Sequence, residues 1–210
     1  MLYSLATSHN TWIHVSRSAS KTAGRSLACG VLLIAGAWLA APQADYAQQP
    51  PTEYQVKAAY LFNFLKFVEW PDDPSSNLNG RWVIGIIGEN PFGDDLAQAV
   101  SGKVVQGRLL QVRQFTTMED LRACHILFIS ASEKKRLPAI LSALGSSSVL
   151  TVADMENFNT AGGMIQFVME DGSVRFAVNV TSTTRARLKV SSKLLSLARV
   201  VSGAERSSTN

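Results

Sequence analysis

Histidine and cysteine are almost missing from this chain of 210 residues, which has three of the first and two of the second. Two of the histidines, His9 and His14, and one cysteine, Cys29, fall within the first 44 residues. That leader is itself short of something: it holds no aspartate or glutamate, and its cations Arg17, Lys21 and Arg25 precede an apolar run from Leu27 to Ala41. The run is shorter than the roughly 18–20 residues needed to cross a bilayer. A basic start, a short apolar stretch and a small-residue end are the marks of a secretory signal peptide. Residues 1–44 are therefore expected to be removed, with Ala41, Ala44 and Ala47 as candidate cleavage points, and the protein is expected to be exported. A transit peptide would lack so solid an apolar run; an uncleaved anchor is the remaining alternative.

Without the leader, Cys124 is the single cysteine, so no disulfide can form within the mature chain even in an oxidising compartment. His125, beside it in the apolar run Cys-His-Ile-Leu-Phe-Ile, is the single histidine, and reads as a structural one. These absences exclude a His/Cys metal cluster and leave nucleophile–histidine catalysis one histidine to use. The acidic pairs Asp72-Asp73 and Asp94-Asp95 are neighbours in sequence, suited to loop and cap rather than to converging on a substrate. No enzyme is indicated. Three of the 20 basic side chains belong to the leader, which leaves 17 against 16 acidic ones; the near balance gives no support to nucleic-acid binding.

What is present is most concentrated between Glu53 and Pro71, EYQVKAAYLFNFLKFVEWP. Thr52 is a candidate N-cap and Pro71 closes the segment, so a helix to Trp70 is expected. On a helical wheel Gln55, Lys66 and Glu69 share a narrow polar arc, and most of the circumference is apolar. Phe62 falls inside the polar arc, where core packing and a partner contact are both open.

Further along, Asp72–Gly80 has loop composition, and residues 82–87 read as a buried strand. Asn90 as N-cap, Pro91 in the first turn, and Asp94 and Asp95 behind them announce a helix. Residues 109–115 and 125–129 read as further strands, with a short helix over 117–122. Ser130 and Glu133 have capping-box spacing ahead of a helix to Leu144 that Pro138 kinks or restarts. A strand over 149–152 follows, with Asp154 capping a short helix that Gly162-Gly163 ends. From residue 164 the pattern alternates on both sides of Asp171-Gly172, a hairpin signal. Ile165, Phe167, Met169, Val174, Phe176 and Val178 should face inward; Gln166, Arg175 and Asn179 should face outward. Residues 181–201 read as helical in two pieces. The expected architecture is one α/β domain over 53–201, a mostly parallel sheet flanked by helices with an antiparallel hairpin at one edge. A short linker (45–52) and a flexible tail (202–210) flank it.

In such sheets ligands enter at the carboxyl ends of the strands. Those ends carry Glu89, Asn90 and Phe92, then Ser130, Ser132 and Glu133, then Asp154, which makes them the candidate small-molecule site; capping is the other use for most of them. The glycines of Gly85–Gly93 lack dinucleotide spacing, and three acids there would repel a pyrophosphate. Between Asp171 and Glu205 lie six cations and no acid, Arg175, Arg185, Arg187, Lys189, Lys193 and Arg199. They form either a solvated face or a docking surface.

Several segments together resemble the YfiR-type family of exported bacterial domains: YLFNFLKFVEWP (60–71), IGIIG (84–88) with Pro91-Phe-Gly93, CHILFIS (124–130), LTVAD (150–154), GGMIQFV (162–168), Val174-Arg-Phe176, and SSKLL (191–195) with Ala198-Arg199. The resemblance implies a periplasmic regulator without catalysis or cofactor. Its partner would be the sensor domain of an inner-membrane diguanylate cyclase, or another membrane signalling protein, which it represses, lowering cyclic di-GMP and affecting biofilm formation. A homodimer is an additional possibility. With Cys124 the single cysteine after the leader, redox control through an intrachain disulfide is not expected for this protein. On this reading Phe62 would be the anchor of the partner surface and Arg175, Arg185 and Arg187 its charged rim; a periplasmic small-molecule-binding domain is the alternative.

Overall fold

The computed structural model describes residues 50–70 and 80–201. The signal segment 1–44, most of the 72–80 loop and the tail 202–210 lie outside the described residues.

The chain begins with α1 (Glu53–Phe67), opened by a complete capping box in which Thr52 accepts from Gln55 N–H and the Gln55 side chain reaches back to Thr52 N–H. The helix stops at Phe67, three residues before the expected end. Val68–Glu69 turn extended as β1, because they pair antiparallel with β9 (Lys189–Val190) far along the chain. Tertiary pairing overrides the local signal.

An eight-stranded sheet forms the centre. Its strands are β2 (Trp82–Ile87), β3 (Val104–Val105), β4 (Arg108–Phe115), β5 (Ile126–Ile129), β6 (Leu150–Ala153), β7 (Ile165–Glu170), β8 (Ser173–Asn179) and β10 (Arg199–Val201). Their order is β10-β8-β7-β6-β5-β2-β4-β3. The five strands from β4 to β7 are parallel, as the apolar runs separated by helices required. Alternation along each strand divides the core in two. Ile84, Ile86, Ile126, Phe128, Leu150 and Val152 join α1, α2 (Asp95–Val100) and Leu194 of α5 (Ser192–Leu195) on one side. Val83, Ile87, Leu127, Ile129 and Phe158 join α3 (Leu137–Leu144) on the other.

The hairpin forms at Asp171-Gly172, whose φ values of 49° and 70° are both positive, as a two-residue turn between twisted strands demands. It is not quite the sheet edge: β10 adds a parallel strand outside β8, in a stretch whose pattern reads as helix. Two hairpin side chains also differ from the alternation. Met169 is half exposed beside the first turns of α1, whereas Asn179 is buried. Asn179 donates to the Asn159 carbonyl and accepts from Ser182 N–H, capping α4 (Val180–Arg185).

Other local expectations are adjusted in the same way. Asn90 does not cap a helix but holds a turn, accepting from Phe92 N–H and donating to the Gly93 carbonyl, and α2 starts only at Asp95. Residues 117–122 form turns rather than a helix. After Ser130 the chain makes a 3-10 helix (Ala131–Arg136), and Pro138 restarts it as α3.

Candidate partner-binding surface

Helix α1 carries two lysine–aromatic clusters, one near its start and one near its end. At the start Lys57 is 3% exposed. Its ammonium lies 2.6 Å from Asp154 and 2.5 Å from Glu53, and 4.4 Å from the centre of the Tyr54 ring. Tyr54 donates from its hydroxyl to the same Asp154 oxygen at 3.0 Å. Burial alone would lower the Lys57 pKa, but hydrogen bonds to Asp154 and Glu53 outweigh it and hold it above the ordinary lysine value. Burial, then the Asp154 charge, push the Tyr54 hydroxyl upward too. Asp154 is thus no helix cap; it fastens α1 to the end of β6. Lys57 carries no signal of this in the sequence, since its partner lies 97 residues away.

Near the other end Phe62 is half-buried and lies between two ammonium groups, Lys66 at 4.1 Å and Lys103 at 4.6 Å from its ring centre. Neither lysine makes an ion pair with a described residue. Phe62 therefore belongs to the flank of α1 that faces α2. The opposite flank, with Tyr60 and Phe64 ringed by Phe167 and Phe176, faces the hairpin.

The structure does not gather Phe62 and the three arginines in one place. Arg175 is exposed near the turn end of β8, beside a groove of about 350 Å³ shared with Glu53, Val56 and Tyr60. Arg185, the last residue of α4, and Arg187, just after it, are exposed beyond the other end of β8. Four residues of extended strand, about 13 Å, separate Arg175 from Asn179 alone.

The residues at the ends of β2 and β5 do converge. The sheet reverses its direction of winding between β2 and β5, the position where such sheets open a crevice. Here the protein bridges that crevice itself. Glu89 N–H donates to Ser132 Oγ at 2.9 Å, Ser130 N–H to the Ile87 carbonyl at 3.0 Å, and Gln114 to the Gly88 carbonyl at 2.5 Å. Gly88 has φ +90°, and a Cβ there would come within 2.4 Å of Ser132 Oγ, so the loops touch without a gap. Ser130 accepts from Ser132 N–H. Glu133 lies 3.0 Å from Arg136, close enough for an ion pair but without hydrogen-bond alignment. Phe92 is buried edge-on against Tyr54 and Phe128. Cys124 is fully buried, and burial pushes its thiol up to about 12, the mark of an inert structural cysteine. His125 accepts from Val83 N–H and packs edge-on against Trp70 and at a tilt against Trp82. No group of metal-binding side chains occurs among the described residues.

The fold is a doubly wound α/β domain whose strand-end crevice is bridged by its own loops. The chain belongs to the YfiR/HmsC-like family, whose model matches residues 54–199. Proteins of that family are typically periplasmic regulators. No helix among the described residues is long and apolar enough to cross a membrane. Among solved structures the chain is similar to an ABC domain in complex with L-Trp from Streptococcus pneumoniae (10% identity, 69% of this chain, 60% of that chain, TM-score 0.46). It is also similar to a conserved domain protein from Vibrio cholerae (9% identity, 71% of this chain, 60% of that chain, TM-score 0.47). The chain thus spans 60% of the length of each.

Proposed function

We propose that the chain is exported, loses residues 1–44, and represses an inner-membrane diguanylate cyclase by binding its periplasmic sensor domain. Cyclic di-GMP signalling falls as a result. The observation that carries this reading, beyond family membership, is the crevice at the strand ends: the loop after β2 and the loop after β5 touch and bond to each other across it. A protein that closes the customary ligand position and keeps its cations outside is built to act through its surface. Phe62 serves as the aromatic anchor, and Arg175, Arg185 and Arg187 orient the partner over a wide area rather than as one rim.

Deleting the gene in its own host and measuring cyclic di-GMP tests the reading. The nucleotide should rise, and fall again when the exported protein is restored but not when it is held in the cytoplasm. Unchanged cyclic di-GMP in every strain would sink it. Fractionation should find a shortened protein outside the cytoplasm; full-length protein in the cytosol would contradict export.

A further inference from the structure

We infer that the outer edge of β4 is a strand-addition site for an extended acidic segment of a protein partner. Among the described residues only the two of β3 cover β4 on that side, pairing with Arg108 and Leu109. From Leu110 to Phe115 the strand is bonded to β2 on one side, and its other row of backbone groups has no described strand beside it. Such a row is a template for another chain. Soluble proteins usually blunt such edges with proline or with charged side chains, lysine above all. Residues 109–115, Leu-Leu-Gln-Val-Arg-Gln-Phe, contain neither proline nor lysine, and Arg113 is their single charge. At the start of the edge Val104 and Leu109 are cross-strand partners, 55% and 47% exposed, and form an apolar step where an incoming strand would begin.

Charge selects the occupant. From Leu96 to Met118 the chain has Lys103, Arg108 and Arg113 and no acid. Each of these cations is held over an aromatic ring: Lys103 over Phe62, Arg108 over Trp82 at 3.8 Å, Arg113 over Phe115 at 5.2 Å. Lys66 adds a second charge at Phe62. Stacking orders Lys66, Lys103 and Arg113 without neutralising them, so the edge is flanked by placed positive charge. A strand carrying carboxylates would gain backbone hydrogen bonds from β4 and charge pairing from its border, whereas a basic one would be repelled.

This deepens the protein-binding reading and rests on it. The probe is an eight-residue peptide alternating glutamate and valine, with its lysine-for-glutamate counterpart as control, titrated into the 15N-labelled protein. The acidic peptide should shift amide signals within residues 103–115, and the basic peptide should not. Lys103→Glu combined with Arg113→Glu should weaken binding roughly tenfold. Successive N–H groups of a strand point to opposite edges, so of Gln111→Pro and Val112→Pro one breaks the ladder to β2 and the other removes an outward donor. The variant that keeps the native fold should lose the peptide. Equal response to both peptides, shifts elsewhere, or unchanged binding by the charge-reversed protein would overturn the inference. So would binding to phosphatidylglycerol vesicles with no response to peptide, which would turn this edge toward the membrane. Any of these leaves the repressor reading standing if gene deletion still raises cyclic di-GMP, and that reading falls separately if it does not.

Discussion

Lys57 and Lys66 sit nine residues apart on one helix, each over an aromatic ring, and they do opposite things. Lys57 is buried with two carboxylates and a tyrosine hydroxyl, and it ties α1 to the strand end at Asp154. Lys66 is exposed, shares Phe62 with Lys103, and has no described carboxylate. A buried charge with its partners complete is a fastening whose loss leaves an uncompensated opposite charge. An exposed charge without a carboxylate contributes little to folding and is free to recruit. Residue type and ring contact look alike; solvation and pairing decide the role.

The comparison breaks most easily at Lys57. Lys57→Met should destabilise the domain by about 3–5 kcal/mol by stranding Asp154, measured as a shift of the denaturation midpoint. A cost no greater than that of Lys66→Ala would dissolve the distinction. Alkali should act on the buried groups. The folded-state pKa values of Cys124, Tyr54 and Lys57 are all raised, so the protonated forms favour the fold. Their contribution is complete below the unfolded values and is lost as pH rises. From Cys124 alone, stability should fall by up to about 1.4 kcal/mol per pH unit between its unfolded value of 9.0 and about 12. Cys124→Ala should flatten that part of the curve; an unchanged slope would show the thiol is not the buried titrating group.

Phe62→Ala sharpens the other side. Removing a half-buried ring and two exposed cation–π contacts should cost about 1–2 kcal/mol while weakening repression. A loss of roughly 3 kcal/mol or more in thermal or denaturant unfolding would move Phe62 into the core. Smallest of all, Lys66→Ala and Lys103→Ala should each change stability by less than about 0.5 kcal/mol. A larger effect would mean their charges are part of the fold.

Sequence pattern sufficed where the cause is local or periodic. Thr52 and Gln55 lie three residues apart, Asp171-Gly172 can turn in few ways, and apolar runs buried on both faces read as parallel strands. It failed where the cause is distant. Residues 68–69 leave the helix because of residues 189–190, and 199–201 become a strand because β8 offers an edge. Asp154 has a cap-like position in sequence yet is claimed by Lys57 and Tyr54. The site was legible only in part. Phe62 stood out on the helical wheel as the aromatic among polar neighbours, but nothing in the spacing of Arg175, Arg185 and Arg187 says that a strand will carry them apart. The strand-end residues were found as a group because topology places them; that the loops after β2 and β5 would bond to each other depends on loop geometry that no local pattern encodes.

The ring cluster under α1 has a consequence in time. Tyr60 and Phe64 pack on Phe167 and Phe176, more than 100 residues downstream. The helix is made first and the hairpin that shelters it nearly last, and contacts so distant in sequence form slowly. Throughout synthesis the most aromatic segment of the domain therefore waits uncovered, a natural client for a holding chaperone. Shortening the chain before residue 179 would leave that client without its final lid.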